Sequence, residues 1–235
     1  MKIAVILVSA RMPKGIFFLQ EELRIKQPII CYSGALVLDW EANILLNMTM
    51  PVSDVKQVYA HAKSAGIHMS LYKADEWYIE EMDEWAEQES AITHIIPSTA
   101  DFHQLFDIWE RRNTGPNKIL CMSGPKQIQR LEKTIRSGKA AHLNIYPSKP
   151  TYLEIMPKTA AKPAAIDYLR HQLNIEKSEI IAIGDNYNDI SMLEYAGVGI
   201  AMGNAPDEVK RIADDITLSN DEDGVAASIA KYIFS

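Results

Sequence analysis

The sequence has few cysteines and no histidine spacing that would mark a metal centre. Its 235 residues contain two cysteines, Cys31 and Cys121, and no C-x-x-C pair, which excludes a disulfide framework. Each lies in an apolar run, so we expect both to be small buried side chains rather than nucleophiles. The six histidines show no H-E-x-x-H spacing, and no apolar run approaches the roughly 20 residues that a membrane-spanning helix needs.

Positive charge is in deficit as well. Lysine and arginine total 24 against 31 aspartates and glutamates, for a net charge of −7. A nucleic-acid-binding protein needs a basic stripe, so we expect no nucleic-acid partner. The apolar fraction of 47% and the charged fraction of 23% are ordinary for a globular protein with its own core.

The first residues allow two interpretations. Met1-Lys2 followed by the apolar residues 3–10 could be a short secretory signal. However, that apolar stretch is at the short limit, and nothing downstream is adapted to an oxidising compartment. We therefore expect a cytoplasmic protein.

One stretch, Ile180 to Asp189, has the pattern of a buried strand that ends in a functional loop. Four apolar residues run into Gly184, and two aspartates, Asp185 and Asp189, lie four positions apart. Ligands of open α/β sheets bind beyond the carboxyl ends of the strands, and carboxylate and amide oxygens suit Mg²⁺. The alternative is a plain turn at Asp185-Asn186, with Asn188 or Asp189 capping the next helix.

The chain on either side predicts a doubly wound α/β domain with an insertion. Residues 3–8 read as a strand covered on both faces, followed by a helix that buries Ile16, Leu19 and Leu23, and then by a strand at residues 28–32. From about Asp39 the pattern changes to an α+β module, with strands and helices that include a helix at residues 79–88 and a strand at residues 141–146. From Thr159 strands and helices alternate again. We predict a core domain of residues 1–38 and 153–235 and a cap domain of residues 39–152.

Several motifs occur in a fixed order along the chain. They are Leu153-Glu154-Ile155-Met156-Pro157-Lys158, Lys162, Gly184-Asp185-Asn186-x-Asn188-Asp189, Ala196-Gly197 to Ala205, and Asp221 to Ala226. Together they resemble the Cof-type branch of the haloacid dehalogenase (HAD) superfamily, which carries a large C2-type cap. The opening is similar too, since Val8-Ser9-Ala10-Arg11 resembles the second family motif and Ser33-Gly34-Ala35 the N-G-A turn that leads into the cap.

The resemblance implies Mg²⁺-dependent hydrolysis of small phosphorylated metabolites, with sugar phosphates foremost. It places Ser9, Ala10, Lys162 and Asn204 at the phosphate. Lys162 stabilises the charge of the phosphate and the nucleophile, and Lys158 is a second claimant for that role. The metal-binding positions are Asp185, Asn188 and Asp189. Taken singly, Ser9 reads as a strand-end hydroxyl, Lys162 as a solvated lysine and Asn204 as a residue that tolerates a left-handed turn.

The sequence departs from the family in one large respect. The first HAD motif, D-x-D-G-T, does not occur in the 235 residues, so the aspartyl nucleophile is absent. We therefore expect a phosphatase scaffold that is inactive or nearly so, with Mg²⁺ affinity weakened. The alternative is a non-catalytic protein that binds a phosphate ligand or a partner. Smaller departures are Ala10 and Pro163 for glycine and Ser33 for asparagine.

The missing motif also removes a strand from the expected sheet. In the family that strand lies between those we place at residues 3–8 and 179–183. Its loss would leave two strand edges with unpaired main-chain groups, which are costly out of water. Either the two strands pair directly, or another chain, such as a second copy in a homo-oligomer, fills the gap. A third possibility is that the natural protein is longer and that this sequence is a truncated form of it.

Overall fold

The computed structural model describes residues 3–234 and has an α/β fold. The chain divides into two compact units, the first ending at Ala161 and the second beginning at Lys162. The predicted core and cap boundaries stay a prediction. Within the described residues no helix is long and apolar enough to span a membrane.

The first unit opens with a four-stranded sheet in the order β1-β2-β3-β4. Its strands are β1 (Leu7–Val8), β2 (Ile29–Cys31), β3 (Leu36–Leu38) and β4 (Ile44–Asn47), with helix α1 (Lys14–Glu22) between β1 and β2. The β1–β2 pair is parallel, as the strand–helix–strand pattern predicted, and the other two pairs are antiparallel. Strand β3 was not predicted, because it follows the turn at Ser33-Gly34 after a single residue.

A six-stranded sheet makes up the rest of this unit, in the order β7-β6-β5-β8-β10-β9. In chain order the elements are α2 (Val52–Ser64), β5 (His68–Lys73), β6 (Glu76–Ile79), α3 (Glu84–Thr93), β7 (Ser98–Thr99), α4 (Phe102–Arg111), β8 (Lys118–Met122), α5 (Pro125–Ser137), β9 (Asn144–Lys149) and β10 (Tyr152–Met156). All pairs are antiparallel except β6–β7.

Alternation of side chains along these strands supplies two hydrophobic clusters, one for each face of the sheet. Ile119 and Cys121 of β8 belong to the cluster that includes residues of α2, α4 and α5. Leu120 and Met122 belong to the other, which includes Tyr32 of the opening sheet. The six-stranded sheet is therefore buried on both faces.

The second unit alternates helices with a parallel sheet in the order β11-β12-β13. Its elements are α6 (Lys162–Leu173), β11 (Ile181–Gly184), α7 (Ile190–Tyr195), β12 (Val198–Ala201), α8 (Asp207–Ile212), β13 (Asp215–Ile216) and α9 (Gly224–Ile233). This is the alternation predicted from Thr159 onward, and it aligns the carboxyl ends of the three strands.

The opening strand is shorter and more exposed than predicted. It comprises Leu7–Val8 alone, and Ile3 and Val5 are 40% and 43% exposed. In the described part of the chain, β1 pairs only with β2, and β11 pairs only with β12. Direct pairing of β1 with β11 would join the two units, so it stays a prediction. Filling by another chain remains a prediction.

Three further predictions need correction. Helix α1 buries Ile16, but Leu19 is exposed, and so is Leu23, because the helix ends at Glu22, one residue before it. The helix expected at residues 79–88 begins at Glu84, since Asp83 caps its first turn by accepting the N–H of Ala86. The strand expected at residues 141–146 begins at Asn144, after two turns that end at Leu143.

Both cysteine predictions are confirmed. Cys31 and Cys121 are free and fully buried, in β2 and β8. Burial raises the pKa of the Cys121 thiol to about 12. Such a thiol stays protonated near neutral pH and is a poor nucleophile.

Candidate functional site

Residues 9–11, which we call the serine turn, follow directly from β1. The N–H of Ser9 donates to Ile30 O at 2.9 Å, which continues the pairing with β2 for one residue. The chain then leaves the sheet, and the Arg11 N–H donates to the Ser9 side-chain oxygen at 3.1 Å. The predicted phosphate ligand Ser9 therefore has its hydroxyl oriented by its own turn.

Ala10 offers an uncommitted main-chain donor in this turn. No acceptor for its N–H is found within residues 3–234, and the residue is only half-buried. A main-chain N–H together with a neighbouring hydroxyl is a donor pair that suits a phosphoryl oxygen. Both residues predicted here, Ser9 and Ala10, thus lie in an arrangement that could bind an anion.

The segment that follows β2 is bent by left-handed residues. Tyr32, Ser33 and Gly34 have φ values of 49°, 52° and 106°. A Cβ atom on Gly34 would lie 2.3 Å from the carbonyl oxygen of Ala161, which no side chain could tolerate. This close approach explains the glycine in the Ser33-Gly34-Ala35 motif, and it lets the Ser33 N–H donate to Ser9 O at 3.0 Å.

Residues 184–189, which we call the aspartate loop, follow β11 in the second unit. Asp189 is buried, and one of its carboxylate oxygens accepts the N–H groups of Asp185 and Asn186 at 3.0 and 3.1 Å. A Cβ atom on Gly184 would lie 2.5 Å from the Asp189 Cβ. Glycine is required because this carboxylate folds back over the end of the strand.

Lys162, the first residue of α6, is buried and forms an ion pair with the other oxygen of Asp189. The structure therefore brings together two of the predicted site residues, Lys162 and Asp189. A buried ion pair of this kind is stable only when both charges are matched and further hydrogen bonds are made, and Asp189 makes two. The rival lysine, Lys158, is exposed.

The simple turn interpretation of this loop is wrong in one detail. Asp189 makes no side-chain bond to the start of α7; its carboxylate instead accepts from the residues before it. Asn186, not Asn188, accepts the next N–H, that of Tyr187 at 2.8 Å.

Asp185, like Asn186 and Tyr187 after it, is an exposed residue of the loop. No hydrogen bond or ion pair is found for its carboxylate within residues 3–234. Those residues contain no group of three or more His, Cys, Asp or Glu side chains that could hold a metal. One free carboxylate nevertheless fits Mg²⁺, which proteins commonly bind through one or two carboxylates together with water and substrate phosphate.

The remaining predicted residues lie in two places of the second unit. Asn188 is half-buried in the short turn before α7. Asn204 is exposed, and its side-chain oxygen accepts the N–H of Asn220 at 3.0 Å. Its φ is not in the left-handed region, so the simpler explanation of this asparagine is wrong. The residue connects the loops that follow β12 and β13.

Sequence reasoning missed Lys118, which contacts the serine turn from strand β8. Its ammonium donates to the carbonyl oxygen of Ala10 at 3.1 Å. The available signal was a lysine at the start of an otherwise apolar five-residue strand, a position where a buried charge needs a partner.

Comparison with known proteins agrees with the fold and the motifs. The family model for haloacid dehalogenase-like hydrolases matches residues 1–229. A protein of Haemophilus influenzae named "Putative phosphatase" is 30% identical over 221 residues, which cover 93% of this chain and 81% of that protein. The crystal structure of a haloacid dehalogenase-like hydrolase from Bacteroides thetaiotaomicron is 30% identical, with a TM-score of 0.87 over 97% of this chain and 86% of that chain.

A second solved structure, of a protein from Thermotoga maritima, is 29% identical. Its TM-score is 0.85, and the match covers 98% of this chain and 85% of that chain. The predicted family and the predicted α/β fold are therefore confirmed.

Proposed function

This chain belongs to the haloacid dehalogenase-like hydrolase family, and on that premise we propose that it binds small phosphorylated metabolites together with Mg²⁺. The observation that carries the proposal is the exposed, unpartnered carboxylate of Asp185 at the carboxyl end of a parallel strand. Sugar phosphates are the first substrates to test.

The residues divide into ligands and supports. Asp185 is the proposed metal ligand, with Asn188 beside it. Asp189 holds the loop through two main-chain N–H groups and pairs with Lys162, so we assign it a positioning role. Mg²⁺, when bound, would offset the charge of the phosphoryl oxygens and align the displacement.

The resemblance to the family assigns a second group of residues to the phosphate. The Ser9 hydroxyl and the Ala10 N–H supply neutral donors. The Lys162 ammonium supplies a positive charge, and its attraction to the phosphoryl group grows as that group gains negative charge. Asn204 is proposed to contribute its side-chain amide, since only its oxygen is used by Asn220.

Turnover by these 235 residues is proposed to be low. No D-x-D-G-T sequence is present to supply the aspartyl nucleophile. Loss of the nucleophile from a covalent enzyme costs about four to six orders of magnitude in turnover. The second candidate function is a protein that binds a phosphate ligand without hydrolysing it.

The test is a pair of measurements on the purified chain and two variants, Asp185→Ala and the exposed-aspartate control Asp107→Ala. The first measurement is calorimetric titration with inorganic phosphate, with and without MgCl₂. We expect binding that needs Mg²⁺, that is lost in Asp185→Ala and that is kept in Asp107→Ala. Absence of Mg²⁺-dependent binding would overturn the proposal.

The second measurement is hydrolysis of p-nitrophenyl phosphate. We expect turnover near background, and an increase when a strand ending in D-x-D-G-T is fused ahead of residue 1. Fast turnover by the unfused chain that Asp185→Ala removes would show a complete enzyme and contradict the expectation of low activity. Binding without turnover even in the fusion would favour the ligand-binding function.

A further inference from the structure

The carbonyl oxygens of the serine turn are all held, and the middle one is held by a side chain. Ser9 O accepts the Ser33 N–H at 3.0 Å, and Arg11 O accepts the Tyr32 N–H at 3.2 Å. Both of those donors belong to the segment after β2. Ala10 O instead accepts from the Lys118 ammonium at 3.1 Å, which comes from the six-stranded sheet.

Lys118 is itself fixed in place. Its side chain is 9% exposed, and its ammonium lies 3.5 Å from the Glu154 carboxylate on the adjacent strand β10. The ammonium also lies 5.0 Å from the ring centre of Tyr72 on β5. A buried ammonium is costly unless it is paired and hydrogen-bonded, and these contacts satisfy it in one position, against Ala10.

The contact with Ala10 reaches Ser9 through a single peptide group. The Ala10 carbonyl and the Arg11 N–H belong to the same peptide plane. One end of that plane accepts from Lys118, and the other end donates to the Ser9 side-chain oxygen at 3.1 Å. Rotation of the plane would break both bonds together, so an ammonium that holds one end also holds the hydroxyl at the other.

We propose that Lys118 is a positioning residue that fixes the serine turn for phosphate binding through the carbonyl of Ala10. This inference rests on the proposed function, since it assigns the Ser9 hydroxyl and the Ala10 N–H to the phosphate. It is distinct from a role in direct contact, because the two ammonium bonds described go to Ala10 and Glu154.

The first experiment tests, in the absence of any ligand, whether Lys118 stabilises the hydrogen bond of the Arg11 N–H in the serine turn. Solvent exchange of the Arg11 amide is followed by NMR in the wild-type chain, in Lys118→Met and in Lys73→Met. Lys73 is the matched control, because its ammonium also donates to a main-chain carbonyl, that of Gly115 at 3.0 Å. We expect exchange at Arg11 to be about fivefold to tenfold faster in Lys118→Met, the size expected for loss of one hydrogen bond, and unchanged in Lys73→Met.

The second experiment measures the dissociation constant of inorganic phosphate in the presence of MgCl₂. We expect a weakening of about threefold to tenfold in Lys118→Met and none in Lys73→Met. In the Ser9→Ala background Lys118→Met should add little, because two residues that act through one turn give non-additive effects. Full additivity would overturn the proposal.

Glu154→Gln keeps the Lys118 ammonium but removes the carboxylate that pairs with it, and it is the variant to measure if Lys118→Met fails to fold. Loss of the carboxylate frees Lys118 to move, so we expect a smaller change at Arg11 in the same direction and slightly weaker phosphate binding. Tighter binding would instead indicate that Lys118 acts by charge alone, and it would overturn the positioning role.

The proposed function and the positioning role of Lys118 can be overturned independently of each other. A wild-type chain that binds no phosphate overturns the proposed function, while exchange at Arg11 still decides whether Lys118 holds the turn. Unchanged exchange at Arg11 in Lys118→Met overturns the present inference, whatever the phosphate affinity is.

Discussion

The six-stranded sheet of the first unit and the three-stranded sheet of the second both contain short strands with apolar residues, but these residues differ in how far they are buried. Leu71 and Ile119, in adjacent strands of the larger sheet, are fully buried. In the smaller sheet Ile181 and Ile216 are 37% and 52% exposed. An apolar run therefore predicts a strand, whereas the neighbours that the strand acquires determine its burial.

Buried polar groups show the same contrast. In the large sheet, His68 of β5 lies 2.8 Å from both the Asp83 carboxylate and the Ser70 hydroxyl, and Trp77 of β6 donates to that hydroxyl. In the second unit the buried ion pair is Lys162–Asp189, at the end of a strand. In residues 3–234 no buried side-chain polar atom is left without a partner. The large sheet uses such groups within its packing, and the small one uses them in a loop.

The largest expected effect is on the packing of the large sheet. Phe106 of α4 is fully buried and packs edge-to-face against Tyr59 of α2 at 5.5 Å. We expect Phe106→Ala to lower the free energy of unfolding by about 3 to 5 kcal/mol, because it leaves a cavity in the hydrophobic core. Urea unfolding followed by far-UV circular dichroism measures this.

Ile216→Ala provides the counterpart in the small sheet. Since half of its side chain is already in solvent, we expect a loss below about 1 kcal/mol. Equal losses in the two variants would mean that Ile216 is covered in solution and that the contrast between the sheets is wrong.

The second prediction concerns the ion pair of the small unit. Lys162→Met leaves the Asp189 carboxylate buried without its cation, and we expect a loss of about 3 kcal/mol in unfolding free energy. The estimate is at the lower end of the usual range because two main-chain N–H groups still bind that carboxylate.

The matched control is Lys56→Met in the first unit. Lys56 pairs with Glu110 at 2.8 Å, but both side chains are more than 40% exposed, so we expect a loss below about 1 kcal/mol. If Lys162→Met costs no more than Lys56→Met, the Asp189 carboxylate is solvated rather than buried.

The sequence predicted the parts of the fold that depend on local pattern. The alternation from Thr159 onward, the parallel β1–β2 crossover and the strand–loop–helix at Ile181 to Tyr195 follow from hydrophobic period and turn residues. Motif order predicted the aspartate loop, but not the ion pair that Asp189 forms with Lys162. These features need only a few consecutive residues to be specified.

The rest depends on contacts between distant residues, which no local pattern contains. The exposure of Ile3 and Leu23 depends on what covers them. The Lys118–Ala10 bond links residues more than a hundred positions apart. The position of Asp189 before α7 suggested a carboxylate that caps that helix, but the carboxylate instead accepts the N–H of Asp185, which precedes it in the chain. Pairing partners of this kind are determined by the tertiary fold.

The smallest expected effect is the acid sensitivity of the outer strand β13. The Asp215 carboxylate accepts from the Lys231 ammonium at 2.6 Å and from the Tyr232 hydroxyl at 2.8 Å, both in α9. These bonds, that of Lys231 foremost, hold the pKa of Asp215 below its ordinary value of 3.8. A carboxyl group whose pKa is lowered by folding stabilises the native state above its ordinary pKa, and this stabilisation is lost as the pH falls through the folded value.

Asp39, which follows β3, is the counterpart in the first unit. Its pKa is also lowered, chiefly by the side chain of Asn43, which carries no charge. We expect Asp215→Asn and Asp39→Asn each to flatten slightly the fall in melting temperature between about pH 5 and about pH 3. About 1 M NaCl should weaken the contribution of Asp215 and spare that of Asp39, since salt screens an exposed ion pair far more than a neutral hydrogen bond. Equal salt sensitivity of the two would mean that Lys231 does not pair with Asp215 in solution.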